Sequence, residues 1–356
     1  MRRWMLLMML IGLVLTACAP HRAAPATPTA PSPTVLRVMT HDSFSVSEEV
    51  IARFEREHNV KVQFLQAGDA GTMLSQAILS RDNPQADVLF GVDNTFLGRA
   101  LEADLFIPYH PAALDRIPAE LQLDPEDRVV PVDYGDVCLN YDKRYFAEHD
   151  LPLPEDLADL TRPIYRGLLV VENPATSSPG LAFLIATVGR FGEEGYLAFW
   201  EQLAANDVRV VDGWETAYYG EFSGGAYSEG ERPLVVSYAT SPAAEVYFSE
   251  GALDEPPTGA VIAPQTCFRQ IEFAGILRGT KEEALARAFI DFLLDEPFQR
   301  DIPLQMWVYP AREGTPLPQL FIDFALQAEE PITVPAEQID ARRETWIRDW
   351  TEAVLH

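Results

Sequence analysis

The sequence predicts an α/β protein folded as two lobes, and three observations carry that prediction. Strand-like and helix-like stretches alternate between residues 35 and 90, as in a parallel sheet with helical crossovers. A fresh set of strands begins after about residue 137. The body, roughly residues 35–356, is long for a single compact core. With 47% hydrophobic and 10% aromatic residues, the chain has the composition of a globular protein.

The N-terminus comes first. Met1-Arg2-Arg3 is basic, Trp4 to Leu15 is a short apolar run, and Leu15-Thr16-Ala17-Cys18 closes it with small residues before a cysteine. That order makes a secretory signal. The cysteine at the junction resembles a bacterial lipobox, which implies removal of residues 1–17 and lipid attachment to Cys18. The run is short for a spanning helix; the competing reading is an uncleaved anchor. Either leads to a chain tethered to a membrane outside the cytoplasm. Residues 18–34 form a linker rich in proline, alanine and threonine, with too little bulky apolar surface for a core.

Val35-Leu36-Arg37-Val38-Met39 reads as a strand, and Ser45 with Glu48 has the spacing of a capping box before a helix through Val50, Ile51 and Phe54. Val60 to Phe64 alternates as a strand, Gly71 to Ser80 reads as a helix, and Asp87 to Phe90 as a buried strand. Loops after parallel strands are where ligands bind. Here they are Thr40 to Phe44, Leu65 to Ala70 and Gly91 to Asn94.

Val137 to Tyr141 opens the second region, with further strands near 168–171, 208–211 and 234–237, and another at Cys267 to Phe273. Helices are expected at Glu282 to Leu294 and Pro335 to Leu355. In the last, Trp346, Trp350 and Val354 recur every four residues, the signature of core packing.

The formal net charge is -27, more negative still once Arg2 and Arg3 leave with the leader. Such a chain repels nucleic acid and favours cationic ligands in a general way; the same charge also serves solubility. After Cys18 only Cys138 and Cys267 remain. Outside the cytoplasm they can pair, or stand as two buried thiols in strand-like stretches.

Enzyme motifs are absent. There is no Gly-x-Ser-x-Gly elbow, no phosphate loop ending Gly-Lys-Ser/Thr and no His-x-x-x-His pair. Several loops are better suited to binding. Asn173 to Gly180 precedes an apolar helix, Leu181 to Phe191, with hydroxyls and a proline at its start. That is either an ordinary cap or a seat for an anion. Asp212-Gly213-Trp214-Glu215, Ser237 to Pro242 and Gln305 to Pro310 place aromatic rings on loops. Such faces stack on flat rings and attract cations.

Thr40 to Phe44, Ala86 to Asn94, Pro131 to Gly135, Thr176 to Leu181, Gly213-Trp214, Ser237 to Pro242, Trp307 to Pro310 and Thr345 to Trp350, with Asp69 in Gly68-Asp69-Ala70, resemble the thiamine-binding solute receptors of bacterial ABC importers. The likeness runs in order from about residue 35 to 355. It implies the two-lobed type II periplasmic binding protein fold, two α/β lobes joined by two crossing strands near Asn140 and Cys267. Residues 35–139 plus 267–356 would form lobe 1 and residues 140–266 lobe 2. It implies a monomeric receptor without catalysis or cofactor, for thiamine, thiamine monophosphate or thiamine diphosphate, delivering to a permease.

The ligand-binding residues implied are His41, Asp69, Asp93, Ser177, Trp214, Tyr238 and Trp307. Asp69 would face the aminopyrimidine and thiazolium, Ser177 the alcohol or phosphate end, and the aromatics the rings. Two positions depart from the family: His41 and Ala244 stand where tyrosines are usual. Tyr247, one helical turn after Ala244, would refill that place. A rival is a ferric-ion receptor of the same fold, using Tyr218 and Tyr219 as phenolate ligands. An extracellular hydrolase is the other, though no activated nucleophile or metal site is visible.

Overall fold

The computed structural model describes residues 34–356. The leader, the lipidation candidate Cys18 and the linker lie outside the described residues, except Thr34, which opens the first strand. The first half follows the predicted alternation: β1 (Thr34–Thr40), α1 (Glu48–His58), β2 (Val60–Gln66), α2 (Ala70–Leu79) and β3 (Val88–Asp93). β1 pairs in parallel with both β2 and β3. β3 is buried along its whole length, as expected of a parallel strand covered on both faces.

The capping box at Ser45 does not form. The helix starts later, after Ser47, whose N–H donates to Asp301 Oδ2 at 2.7 Å. The Ser45 hydroxyl donates to Gln305 Oε1 at 3.0 Å. Tertiary partners from a distant segment have replaced the local cap.

α3 (Leu97–Glu102), β4 (Phe106–Ile107) and β5 (Val130–Asp142) follow. β5 organises the middle of the sheet. Its residues 130–137 pair antiparallel with β10 (Phe268–Leu277), and its residues 137–141 pair with β8 (Leu234–Tyr238). Between them in sequence lie α4 (Lys143–Glu148), β6 (Leu169–Glu172), α5 (Ser178–Phe191), α6 (Tyr196–Ala205), β7 (Arg209–Val211), α7 (Ser241–Phe248) and β9 (Thr258–Val261). A π-helical turn at Thr216–Glu221 carries the adjacent tyrosines. The main path of the sheet is β2-β1-β3-β10-β5-β8-β6-β7. It is parallel towards both ends and antiparallel around β10 and β5.

The chain closes with α8 (Glu283–Leu293), α9 (Glu296–Gln305), β11 (Tyr309–Pro310), α10 (Gln319–Phe324) and α11 (Ala336–Val354). Trp346 and Trp350 of α11 are fully buried, and Trp350 meets Trp200 of α6 edge-on at 5.5 Å. The stripe is core packing, as its period predicts. Cys138 and Cys267 form a disulfide, one cross-strand position beyond the Val137–Phe268 pair that ends the β5–β10 ladder. Among the described residues, no helix is long and apolar enough to cross a membrane.

Candidate ligand-binding site

Loops after β1, β2, β7 and β8 meet the segment after α9 around one cavity of about 340 Å³, within the usual size range of small-molecule sites. Five of the seven residues expected from the sequence line it: His41, Asp69, Trp214, Tyr238 and Trp307. Asp93 and Ser177 do not. The Asp93 carboxylate accepts from the backbone and hydroxyl of Thr95 and from the Ser178 hydroxyl. Ser177 is fully buried behind the wall. Ser178, its neighbour, faces the cavity instead.

Trp214 is held from two sides. Its ring stacks on Tyr218 at 5.1 Å, and its indole N–H donates to Ser237 Oγ at 2.9 Å. Tyr238 donates from its hydroxyl to Gln270 Oε1 at 3.3 Å. A side chain at position 135 would crowd that ring, because a Cβ on Gly135 would stand 3.0 Å from it.

Trp307 follows α9 with φ near 59°, a left-handed backbone that an aromatic residue rarely adopts. The Thr240 hydroxyl donates to its carbonyl, and the rings of Tyr247 and Phe248 pack on it at 5.2 and 5.5 Å. Such a conformation persists only where surroundings fix it, and it recurs at ligand clamps.

Asp69 caps α2 by accepting from Ala70 N–H at 2.7 Å. It also accepts from Ser178 N–H at 3.2 Å and Trp214 N–H at 3.3 Å, both more than a hundred residues away in sequence. Burial pushes its carboxyl above the ordinary value, and these backbone donors oppose the rise. Burial likewise raises Asp93 to about 6, against the pull of its hydroxyl partners.

His41 lies against β3, where Gly91, with φ near 102°, leaves room: a Cβ there would stand 2.3 Å from the imidazole. Its Nε2 is 3.4 Å from Glu272 Oε1, within ion-pair range. Burial works to lower the His41 pKa, but Glu272, Asp69 and Asp42 outweigh it and leave it above 6.5. Glu272 stands directly opposite Asp133 across the β10–β5 ladder. Burial first, then the Glu272 charge, push the Asp133 carboxyl well above the usual range. Neither Asp133 oxygen meets a donor in the protein.

Asp133, Glu215, Glu245 and Glu272, none of them among the seven site residues expected from the sequence, also line the cavity. A usable signal was present for two of them. Asp133 and Glu272 interrupt apolar strands, and a carboxylate in such a place is costly to bury unless something calls for it. The gap beside Ala244 is filled differently from the expectation. The segment is helical, but Tyr247 does not line the cavity; Tyr219, Tyr227 and Phe248 do.

Tyr218 and Tyr219 both reach the cavity. Tyr218 donates to Glu245 Oε1 at 2.8 Å, and Ala226 N–H holds the other Glu245 oxygen at 2.6 Å. Burial and then Glu245 raise both phenols above their usual range. These surroundings disfavour phenolates. Among the described residues, no group of three or more His, Cys, Asp or Glu side chains is arranged to hold a metal ion.

Comparison with known proteins adds the lineage. Residues 83–331 match the family of bacterial extracellular solute-binding proteins. The thiamine-binding periplasmic protein of Escherichia coli is 30% identical, over 97% of this chain and 98% of the relative. The iron uptake protein A1 of Synechocystis sp. is 24% identical, over 85% and 83%. A solved structure titled periplasmic thiamin binding protein superposes with a TM-score of 0.79 at 28% identity, covering 92% of this chain and 98% of the other. The fold is therefore the two-lobed type II periplasmic binding protein fold, and the protein is a receptor rather than an enzyme. A match over most of its length and a near full-length relative at this identity place the chain in the bacterial extracellular solute-binding protein family.

Proposed function

We propose that this chain is the extracytoplasmic, lipid-anchored substrate receptor of an ABC importer, and that it captures thiamine or its phosphate esters and hands them to a permease. One observation carries the reading: Trp214, Tyr238 and Trp307 share a cavity whose charged wall is almost entirely carboxylate. Aromatic faces suit the two flat rings, and the acidic wall suits the thiazolium charge. The near full-length likeness to a thiamine-binding relative supports the same ligand.

The division into lobes follows the sequence expectation, with residues 35–139 plus 267–356 as lobe 1 and 140–266 as lobe 2. The change of partner along β5 at Val137 supports a crossing there. On that division, Asp69 to Ser178 and Trp214, Asp93 to Ser178, and Thr240 to Trp307 are contacts between lobes. Asp93 and Ser177 then act behind the wall, through Ser178, while the other five residues touch ligand. A ligand gripped by both walls favours the closed arrangement through its differential contacts.

Isothermal titration of the purified protein with thiamine tests the function. Submicromolar one-to-one binding is the expected result. No binding in folded protein, together with a visible tyrosinate band on ferric addition, would shift the assignment to iron and to Tyr218 and Tyr219.

The anchor has its own test. Mass spectrometry of the membrane-extracted protein should find lipid-modified Cys18 as its first residue, with residues 1–17 removed. An unmodified Cys18, or a chain that still carries the leader, would exclude lipidated Cys18 as the tether.

A further inference from the structure

The structure assigns His41 and Glu272 to a charge exchange: Glu272 pairs with a protonated His41 in the ligand-free protein, and a cationic ligand takes over that pairing while His41 returns its proton to solvent. This inference rests on the thiamine reading above and goes further, by making His41 the residue that ties capture of the ligand's charge to pH.

The placement of His41 is the first argument. Asp42 N–H donates to Gly68 O at 3.0 Å, which ties the loop after β1 to the segment before α2. The imidazole lies against Gly91 of β3, and its centre is 6.1 Å from the ring of Phe90. His41 and Glu272 both line the cavity, with side chains 13% and 11% exposed. The 3.4 Å between Nε2 and Glu272 Oε1 is inside ion-pair range but long for a hydrogen bond. Nε2 is buried and has no hydrogen-bond partner among the described residues. Charge rather than a fixed hydrogen bond holds this pair, so a second cation can displace it.

The surroundings are the second argument. Glu272 of β10 stands between two cross-strand neighbours, Asp133 of β5 and Asp93 of β3. Asp69 faces the imidazole from the segment before α2, and Asp42 from its own loop. Glu215 and Tyr238 also line the cavity, while no lysine or arginine does among the described residues. Against the cost of burial, Glu272 and then Asp69 and Asp42 hold His41 above 6.5. Asp133 does not compete for the role of counter-charge. Burial and then Glu272 keep its carboxyl well above the usual range, so it carries its proton and leaves the pairing to Glu272.

A cation entering the cavity repels a second positive charge beside it, and a poorly hydrated site screens that repulsion weakly. The sign follows. His41 is raised in the ligand-free protein, and the bound cation lowers it. Between those two values, binding releases protons, so affinity for the cation rises with pH and levels off once His41 is neutral beforehand. The tyrosine that the family resemblance leads one to expect at this position stays neutral over the same range and imposes no such dependence.

The test is calorimetric titration of the purified protein at about pH 6 and about pH 8 with two probes. One is thiamine. The other is 3-deazathiamine, in which carbon replaces the charged ring nitrogen. They share the aminopyrimidine, so its own titration cancels between them. Thiamine should bind about three- to tenfold tighter at the higher pH, and the neutral analogue should change by less than about twofold. His41→Gln keeps an N–H towards Glu272 but cannot take a proton, so it should flatten the thiamine profile. A readout that needs no variant is the wild-type enthalpy near neutral pH in two buffers of different ionisation enthalpy, which should report proton release with thiamine and little with the analogue.

A thiamine affinity that does not change with pH would overturn the inference, as would the same change for both ligands. So would an unaltered profile in folded His41→Gln protein, because the raised carboxyls Asp69, Asp93 and Asp133 would then carry the effect. Failure of thiamine to bind at either pH would instead refute the thiamine reading, and the exchange with it.

Discussion

Trp307→Ala and Trp214→Ala should each weaken thiamine binding by ~1–3 kcal/mol, as expected for aromatic anchors at the centre of a desolvated pocket. Trp214 is held within its own lobe, whereas on the proposed division the partners of Trp307 come from the opposite lobe and hold it in the closed arrangement. Trp214 has Tyr218 behind it and Ser237 on its nitrogen. Trp307 is aimed by its left-handed backbone, with its carbonyl bound by Thr240 and its ring against Tyr247 and Phe248. Rings held this way spend little conformational entropy on binding, so truncation forfeits nearly the whole contact. The two losses should sum closely only if the rings touch separate parts of the ligand; a sandwich couples them. Calorimetry on variants with unchanged far-ultraviolet circular dichroism decides the matter. Wild-type affinity in both would remove these rings from the binding site.

Much of this site could be read from sequence because its parts sit on loops that follow strands. His41, Asp69 and Trp214 come shortly after strand-like runs that β1, β2 and β7 confirm, and Tyr238 is the last residue of β8. Periodicity also placed Trp346 and Trp350 in the core. What escaped depended on long-range register. Asp133 and Glu272 face each other only because β5 and β10 pair with one particular offset, and no local pattern encodes that offset.

The substitution of Phe248, Tyr227 and Tyr219 for Tyr247 has a similar cause. Helical spacing says which residues share a face, but not which face meets the cavity. The false capping box at Ser45 shows the opposite error. A local motif was present, and hydrogen bonds to Asp301 and Gln305 displaced it. Likewise the hydroxyl-rich start of α5 reads as either an ordinary cap or an anion seat, and no local pattern shows that its Ser178 N–H donates to the distant Asp69.

Replacing both Cys138 and Cys267 by alanine should cost ~2–5 kcal/mol of unfolding free energy. The cross-link spans 129 residues, and in the chain-entropy account a loop of that length gains close to the upper end of what a disulfide gives. Both half-cystines are fully buried, so alanine also leaves a small void rather than an exposed change. The bond lies where the β5–β10 ladder ends and β5 turns to β8, so it joins the two strands expected to cross between lobes. It does not line the cavity. Stability and affinity should therefore separate: urea unfolding should shift strongly, while thiamine affinity measured well below the transition should change less than it does for Trp307→Ala. An unfolding free energy within about 1 kcal/mol of wild type would mean that the pairing adds nothing to the fold. An affinity loss as large as that of Trp307→Ala, in protein still fully folded, would instead make the cross-link part of the closing hinge. The bond would then set how easily the lobes meet around their ligand.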